Sequence, residues 1–395
     1  MMHKDEHEHP PAADEHPVAL EIVDELDSPA ESSLGRVLNS AFGENGKPSP
    51  SGSRTSSPTR RRAEQYSPSA SPKRNRKTDE ESVTTGISGL TVPSLRPEVA
   101  VTQSMIKLSE KYDISEKLGK GGFGEVSLAT CTATGEKLAA KLVRADDSDK
   151  FGMFKNEFEI AKRLQHPNIV KVHDMLINDQ LCYLVMDLCT GGDLVQFVQS
   201  HEEWIMKTRV YTPPEGHVLA KLLWQMLQSV RYLHHHNIVH RDIKMENFLL
   251  NSSSCGVLKL IDFGFAKILE KGQVLKDVCG TPGYIAPEVL ERAGYGLSCD
   301  GWSLGVCAYL LFTSEFPIPS QKDWSNEELL KQTKEHEIVY KSSALTTIPA
   351  EGKTVLKMLL QKDPSNRASP KQILSTDRWL RTAGRGKNDC CCTIA

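Results

Sequence analysis

The sequence predicts an α+β protein of two lobes, a small β-rich one and then a larger helical one, behind a long tail. Three observations predict this. Apolar residues recur with period two, interleaved with glycine, from Tyr112 to about Cys131, and further strand patterns run on to Asp187. Beyond Gly191-Gly192 the pattern turns mostly helical and stays so to about Leu380. Ahead of both, residues 1–104 hold only two aromatic side chains, Phe42 and Tyr66, among many Ser, Pro, Glu and Arg. Such a segment cannot bury enough apolar surface to offset ordering its backbone, so it reads as disordered.

The elements follow in order. Residues 1–111 form the charged, Ser/Pro-rich tail. Strand patterns flank Gly119-Lys120-Gly121-Gly122-Phe123-Gly124, and Lys137-Leu138-Ala139-Ala140-Lys141-Leu142-Val143 reads as the next strand. A helical pattern covers Phe151 to Leu164 and stops at His166-Pro167. Strands around Ile169–Met175 and Leu181–Asp187 complete a small lobe over 112–187. Residues 188–380 form the helical lobe, and 381–395 a second tail.

Composition narrows the function. The chain of 395 residues has a net charge of only -3, which argues against nucleic acid as a partner. No run of eighteen apolar residues offers a membrane-spanning helix, and no apolar signal core follows Met1-Met2-His3-Lys4, so secretion is not expected. Of ten cysteines, three sit together at the end and the rest are scattered through apolar or catalytic segments. That fits reduced thiols plus a special tail better than a disulfide framework.

Ser28, Ser49, Ser57, Ser67 and Ser71 each precede Pro. They are either sites for proline-directed kinases or parts of a solvated spacer. Arg60-Arg61-Arg62 and Lys73-Arg74-Asn75-Arg76-Lys77 read as import or lipid-headgroup patches, or as plain solvated charge. Nothing near His3, His7, His9 and His16 fixes a metal geometry.

The chemistry is concentrated in a few short segments. The glycines at 119, 121, 122 and 124 allow backbone amides to approach phosphate oxygens. A strand follows this loop, where a dinucleotide-binding fold would place a helix. Lys141 is a charged residue inside an apolar strand, so it needs a partner. Glu157 on the next helix is the obvious one; Glu159 would face about 200° away. In His240-Arg241-Asp242-Ile243-Lys244-Met245-Glu246-Asn247, Asp242 can accept a hydroxyl proton and Lys244 can reach a phosphoryl group. Asn247, with Asp262 of Asp262-Phe263-Gly264, supplies hard oxygen ligands suited to magnesium. Thr281-Pro282-Gly283-Tyr284-Ile285-Ala286-Pro287-Glu288 closes the segment after Asp262.

These segments, in this order, resemble a eukaryotic protein kinase domain over residues 112–380. The resemblance implies a bilobal Ser/Thr kinase using ATP and Mg2+, with protein substrates. It assigns Asp242 and Lys244 to catalysis and Asn247 and Asp262 to the metal. To ATP it assigns Leu118, Gly119, Lys120, Gly121, Gly122, Phe123, Gly124, Glu125, Val126, Ala139, Lys141, Glu157, Asp187, Cys189 and Leu249, with Met186 as gatekeeper. It makes Asp300 the anchor of the catalytic-loop backbone and Arg367 the buried partner of Glu288. Met245 stands where Pro is usual, Ala161 where a larger hydrophobe packs, and Gly301 where Val is usual. A kinase-like scaffold would be signalled by loss of Lys141, Asp242 or Asp262, and none is lost.

The chain looks most like calcium/calmodulin-dependent and calcium-dependent kinases, but shows no EF-hand loop. Asp193 and Glu246 lie where such relatives bind a substrate arginine, which implies a preference for upstream basic residues. Arg241 is expected to meet the activation loop, together with Thr281. At the position where relatives carry a phosphorylated residue stands Asp277, either a built-in substitute for that phosphate or an ordinary solvated Asp. At the end, Cys392-Thr393-Ile394-Ala395 matches a prenylation signal for farnesyl, and Cys390 and Cys391 suit palmitoylation. The expected location is therefore the cytoplasmic face of a membrane.

Overall fold

A computed structural model of the chain describes Leu95 and residues 108–121, 124–144, 148–178, 181–200, 215–252, 256–321, 324–340, 345 and 348–385. The expectations for the Ser-Pro tail, Gly122, Phe123 and Cys390 to Cys392 lie outside the described residues.

Five antiparallel strands build the small lobe: β1 (Tyr112–Gly121), β2 (Gly124–Cys131), β3 (Lys137–Arg144), β4 (Val172–Asn178) and β5 (Leu181–Asp187). Their order is β1-β2-β3-β5-β4. Tyr112, Ala129, Leu138, Ala140, Leu176 and Val185 meet as a small core on one face. Helix α1 (Leu108–Lys111) adds Leu108 to that core and Lys111 as a partner of Asp174 at 2.7 Å. Ordered structure thus extends upstream of the boundary expected at Tyr112.

Helix α2 (Ser148–Ala161) crosses the lobe. It was expected over Phe151–Leu164, but the amides of Arg163 and Leu164 bond three residues back, to Ile160 and Ala161, so the chain tightens into a turn. β4 begins three residues later than expected for a long-range reason: Val170 N donates to Leu260 O of the large lobe, 3.0 Å away, leaving Ile169 and Val170 outside the sheet.

The large lobe is helical: α3 (Leu194–Ser200), α4 (Glu215–His235), α5 (Pro287–Leu290), α6 (Ser298–Thr313), α7 (Asn326–Glu335), α8 (Ala350–Leu359), α9 (Pro370–Thr376) and α10 (Arg378–Arg385). Helix α6 is hydrophobic all round and buried from Cys299 to Thr313, so it is the axis on which the others pack. Helix α10 buries Leu380 and Ala383, so the segment after 380 packs onto the lobe. Four short strands interrupt the helical pattern: β6 (Ile238–Val239) and β8 (Leu258–Leu260), in the apolar runs Asn237-Ile238-Val239 and Val257-Leu258-Lys259-Leu260-Ile261 that the sequence marks as strands, and β7 (Phe248–Leu250) and β9 (Lys267–Ile268), which the pattern hid. They pair as β6-β9 and β7-β8. The loops between β6 and β7 and between β8 and β9 carry the chemistry-bearing residues.

Candidate active site

The loop from His240 to Asn247 is held at its base by one carboxylate. Asp300, buried at the start of α6, accepts the amides of His240 and Arg241 at 2.9 Å each, and His234 Nε2 lies 2.9 Å away. Burial acts to raise the pKa of Asp300, but these donors and the nearby imidazoles hold it below the ordinary value. The anchoring matters because Arg241 has φ +68°, a conformation that costs a non-glycine residue energy and must be held in place.

Asp242, 5 % exposed, projects from this loop. Thr281 Oγ1 donates to its Oδ1 at 2.7 Å, and Lys244 Nζ lies 3.0 Å from its Oδ2. Lys244 also donates to Thr281 Oγ1 at 3.0 Å. Asn247 donates its amide to Asp242 O (2.8 Å) and Oδ2 (3.3 Å), so its amide orientation is fixed by the loop it closes.

Asp262 follows β8 with φ +63°. Its Oδ1 lies 3.4 Å from Lys141 Nζ, and Lys141 reaches Glu157 Oε2 at 2.7 Å. Burial opposes the charge on Lys141, yet Asp262 and Glu157 more than offset this and hold its pKa above the ordinary lysine value. Burial pushes Glu157 up, with Lys141 pulling against it; burial acts the same way on Asp262, but Lys141 and Lys244 win there and keep it low. The cluster therefore keeps a buried ammonium and an ionised Asp262 side by side.

Two residues without a motif tie these parts together. Asn156, next to Glu157, donates to the carbonyls of Gly264 (3.3 Å) and Ala266 (2.9 Å). Tyr295 donates to the Asp277 carbonyl at 2.7 Å and lies 3.3 Å from Arg241 Nη1. Arg241 also donates to Phe265 O at 2.6 Å and to Asp277 Oδ2 at 2.5 Å. Arg241 and Asp277 are thus in contact, as their positions suggested.

The glycine loop is a β1–β2 hairpin in which Gly121 faces Gly124. Its glycines have different reasons. A Cβ on Gly119 would meet nothing within 4 Å, whereas one on Gly124 would lie 2.0 Å from the Leu142 carbonyl oxygen. Gly124 therefore answers to strand packing first. Val126 faces Lys141 across the β2–β3 pair, while Lys120 faces Glu125 across the β1–β2 pair. Ala139 pairs with Met186 on adjoining strands of the small lobe, while Leu249 pairs with Lys259 in the β7–β8 pair of the large lobe. Leu118 is 45 % exposed at the mouth. Cys189 is half-buried, and burial pushes its thiol up to about 11.

Asp193 also has a role in the fold. Its carboxylate caps α3, accepting Gln196 N at 2.8 Å while Gln196 Oε1 accepts Asp193 N at 3.2 Å. It is committed to a capping box. Glu246 is freer: Tyr284 OH lies 3.3 Å away, burial pushes its pKa up, and the nearby Asp193 and Asp242 add to that. Behind the site, Arg367 forks onto Glu288 at 2.5 and 3.0 Å and lies 5.3 Å over the Trp302 ring. A Cβ on Gly301 would meet Arg367 Cδ at 3.4 Å, an ordinary contact, so packing does not explain the missing Val.

Residues 112–380 match the Protein kinase domain family. The chain is 34 % identical to calcium/calmodulin-dependent protein kinase type II of Caenorhabditis briggsae over 277 residues, 69 % of this chain and 49 % of that protein. It is 36 % identical to calcium/calmodulin-dependent protein kinase type 1B of Rattus norvegicus over 269 residues, 68 % of this chain and 74 % of the relative. Against calcium-dependent protein kinase 5 of Plasmodium falciparum the identity is 33 % over 277 residues, 70 % of this chain and 46 % of the relative. The chain thus spans about half the length of several of these relatives. With the two lobes, the Lys141–Glu157–Asp262 cluster and the Asp242 loop in place, the match leaves one assignment: the chain belongs to the protein kinase family.

Proposed function

We propose that this protein is a serine/threonine protein kinase that transfers the γ-phosphoryl group of ATP to hydroxyls of protein substrates, with Mg2+. The observation that carries this is the grip on Asp242, with Thr281 on one oxygen and Lys244 on the other. That grip aims a carboxylate at an incoming hydroxyl and sets a cation beside the path of the phosphoryl group. Asp242 accepts the substrate proton, and Lys244 stabilises charge on the transferring group. Lys141, held by Glu157, pairs with the α- and β-phosphates; the backbone of the glycine loop covers them.

The donor set fits magnesium. Asn247 spends its amide N–H groups on Asp242, which leaves its carbonyl oxygen as an acceptor, and Asp262 adds a carboxylate held ionised. Two hard oxygen ligands suit a cation that also takes phosphate oxygens and water. Held by Asn247 and Asp262, the cation would supply positive charge to offset that of the ATP phosphates. Incorporation of labelled phosphate from magnesium-ATP into a protein substrate, with Asp242→Asn as control, tests the proposal. Equal incorporation by both proteins sinks it.

The finer readings rest on single features. Glu246 supports a preference for basic residues upstream of the acceptor, with Asp193 in a lesser role because it caps α3; a peptide library showing no such preference would refute this. The Cys392-Thr393-Ile394-Ala395 run supports farnesylation, Cys390 and Cys391 support palmitoylation, and together they support a location on the cytoplasmic face of a membrane. Two lipid signals make an anchor stable where one is marginal. Unchanged membrane partitioning of Cys392→Ser would overturn that reading. The Ser-Pro sites before residue 75 would receive proline-directed kinases.

A further inference from the structure

Asp187 ends β5 and begins the crossing between the lobes, where the proposed nucleotide site needs its backbone. Its side chain has a separate set of partners. Oδ1 lies 2.9 Å from His173 Nε2 and Oδ2 lies 3.1 Å from Lys259 Nζ. The Lys171 amide stands 3.4 Å from Oδ2, and the Asp187 amide returns to Lys171 O at 3.0 Å. His173 belongs to β4 of the small lobe, and Lys259 to β8 of the large lobe, three residues before Asp262. One carboxylate is therefore gripped from both sides of the hinge.

The grip is largely shielded from water. The side chains of His173, Asp187 and Lys259 are 17 %, 24 % and 15 % exposed. Burial alone would raise the Asp187 carboxyl, yet His173 and Lys259 hold it down at about 2, so it stays ionised at any physiological pH. A shielded ion pair that spans two bodies restrains their relative rotation more than a surface pair does, because little salt or water screens it. The positions of the partners give the restraint a direction. Lys259 faces Leu249 in the β7–β8 pair, and Leu249 is expected to line the adenine site. Lys259 is also joined through two residues to Asp262, whose Oδ1 lies 3.4 Å from Lys141.

We propose that His173, Asp187 and Lys259 form a clamp across the hinge that positions the Asp187 backbone for the nucleotide and holds it in register with the strand leading to Asp262. His173 and Lys259 are positioning residues in this assignment; neither touches the substrate. The clamp rests on the reading of the cleft as an ATP site. Its loss loosens the nucleotide-binding backbone but leaves the Asp242–Lys244–Thr281 group intact. The effect therefore falls on ATP affinity and spares the chemical step once ATP is bound.

The test uses the full chain with Lys259→Met, Lys259→Arg, His173→Leu and His173→Gln, read by steady-state kinetics and by direct binding of magnesium-ATP. Lys259→Met and His173→Leu should raise both the KM and the Kd for ATP by about fivefold, with kcat within about twofold of wild type. Lys259→Arg and His173→Gln keep a donor and should restore ATP affinity to within about twofold of wild type. A clamp with only a structural role would lower thermal stability in all four without this split. Lys259→Met, or His173→Leu if that variant alone folds, with wild-type ATP affinity overturns the clamp. So does a fall in kcat with affinity unchanged. A wild-type chain that binds no magnesium-ATP overturns the reading of the cleft and the clamp together, which separates the two failures.

Discussion

Replacing Asp277 by Ala asks whether a permanent carboxylate orders the activation loop in place of a phosphate. The structure sets the size of the effect. Arg241 is 10 % exposed and Asp277 56 % exposed, so half of this pair is open to water. Partial burial acts to raise the Asp277 carboxyl, but Arg241 holds it below its ordinary value, and the pair stays charged through neutral pH. An ion pair with a solvent-exposed member is worth ~0.2–1 kcal/mol, which is about 1.4- to 5-fold in the population of the ordered loop.

The rest of the loop does not depend on that charge. Tyr295 donates to the Asp277 carbonyl, and the amides and carbonyls of Leu275 and Tyr295 exchange bonds at 2.9 Å. Asp277→Ala should therefore lower kcat/KM for a peptide substrate by about 1.4- to 5-fold at low salt, and by less at 1 M salt, where screening reaches ~3 Å. Arg241→Ala should cost more, because it also loses the bonds to Phe265 O and Tyr295. The assay is the initial rate on one peptide before and after phosphatase treatment. Two results together refute the reasoning: phosphatase abolishes wild-type activity, and Asp277→Ala behaves like wild type at low salt.

Three further outcomes follow from the geometry. Arg367→Met leaves Glu288 buried without its partner and should destabilise the domain by ~3–5 kcal/mol, read from urea unfolding; a loss under ~1 kcal/mol would show that the fork is dispensable. Asn156→Ala removes both side-chain bonds to the Gly264 and Ala266 carbonyls, and kcat should fall severalfold with little change in thermal stability. Burial, with Arg231 and Lys259 nearby, pushes His166 from 6.5 down to about 4. Because the folded state resists protonation, its stability is full above pH 6.5 and declines as pH falls towards 4, by ~3 kcal/mol at the limit. His166→Gln should flatten that part of the pH–stability curve, and an unchanged slope would place the acid sensitivity elsewhere.

What could be read from the chain differs by the kind of group that does the work. Strands β1, β2, β3 and β5 show in the sequence because their own local patterns, alternation in the first two and short apolar runs in β3 and β5, fix them. The start of β4 does not, since Val170 is claimed by Leu260, some ninety residues away. At the site, Lys141, Asp242, Asn247 and Asp262 stand out because a charge or amide in an apolar setting is conspicuous. Asp193 is legible in another way: its spacing to Gln196 is that of a capping box, and the structure forms it. Asn156, Tyr295, His173 and Lys259 are harder still. Asn156 and Tyr295 act on backbone carbonyls, at Gly264, Ala266 and Asp277, and a backbone carbonyl has no identity in a sequence. His173 and Lys259 meet only through Asp187, fourteen residues from one and seventy-two from the other. Groups that perform chemistry announce themselves by residue type, whereas groups that aim the chemistry are ordinary polar residues whose meaning lies in what the fold sets beside them. That is why the clamp and the Asn156 tether, more than the motifs, are where substitution should separate affinity from turnover.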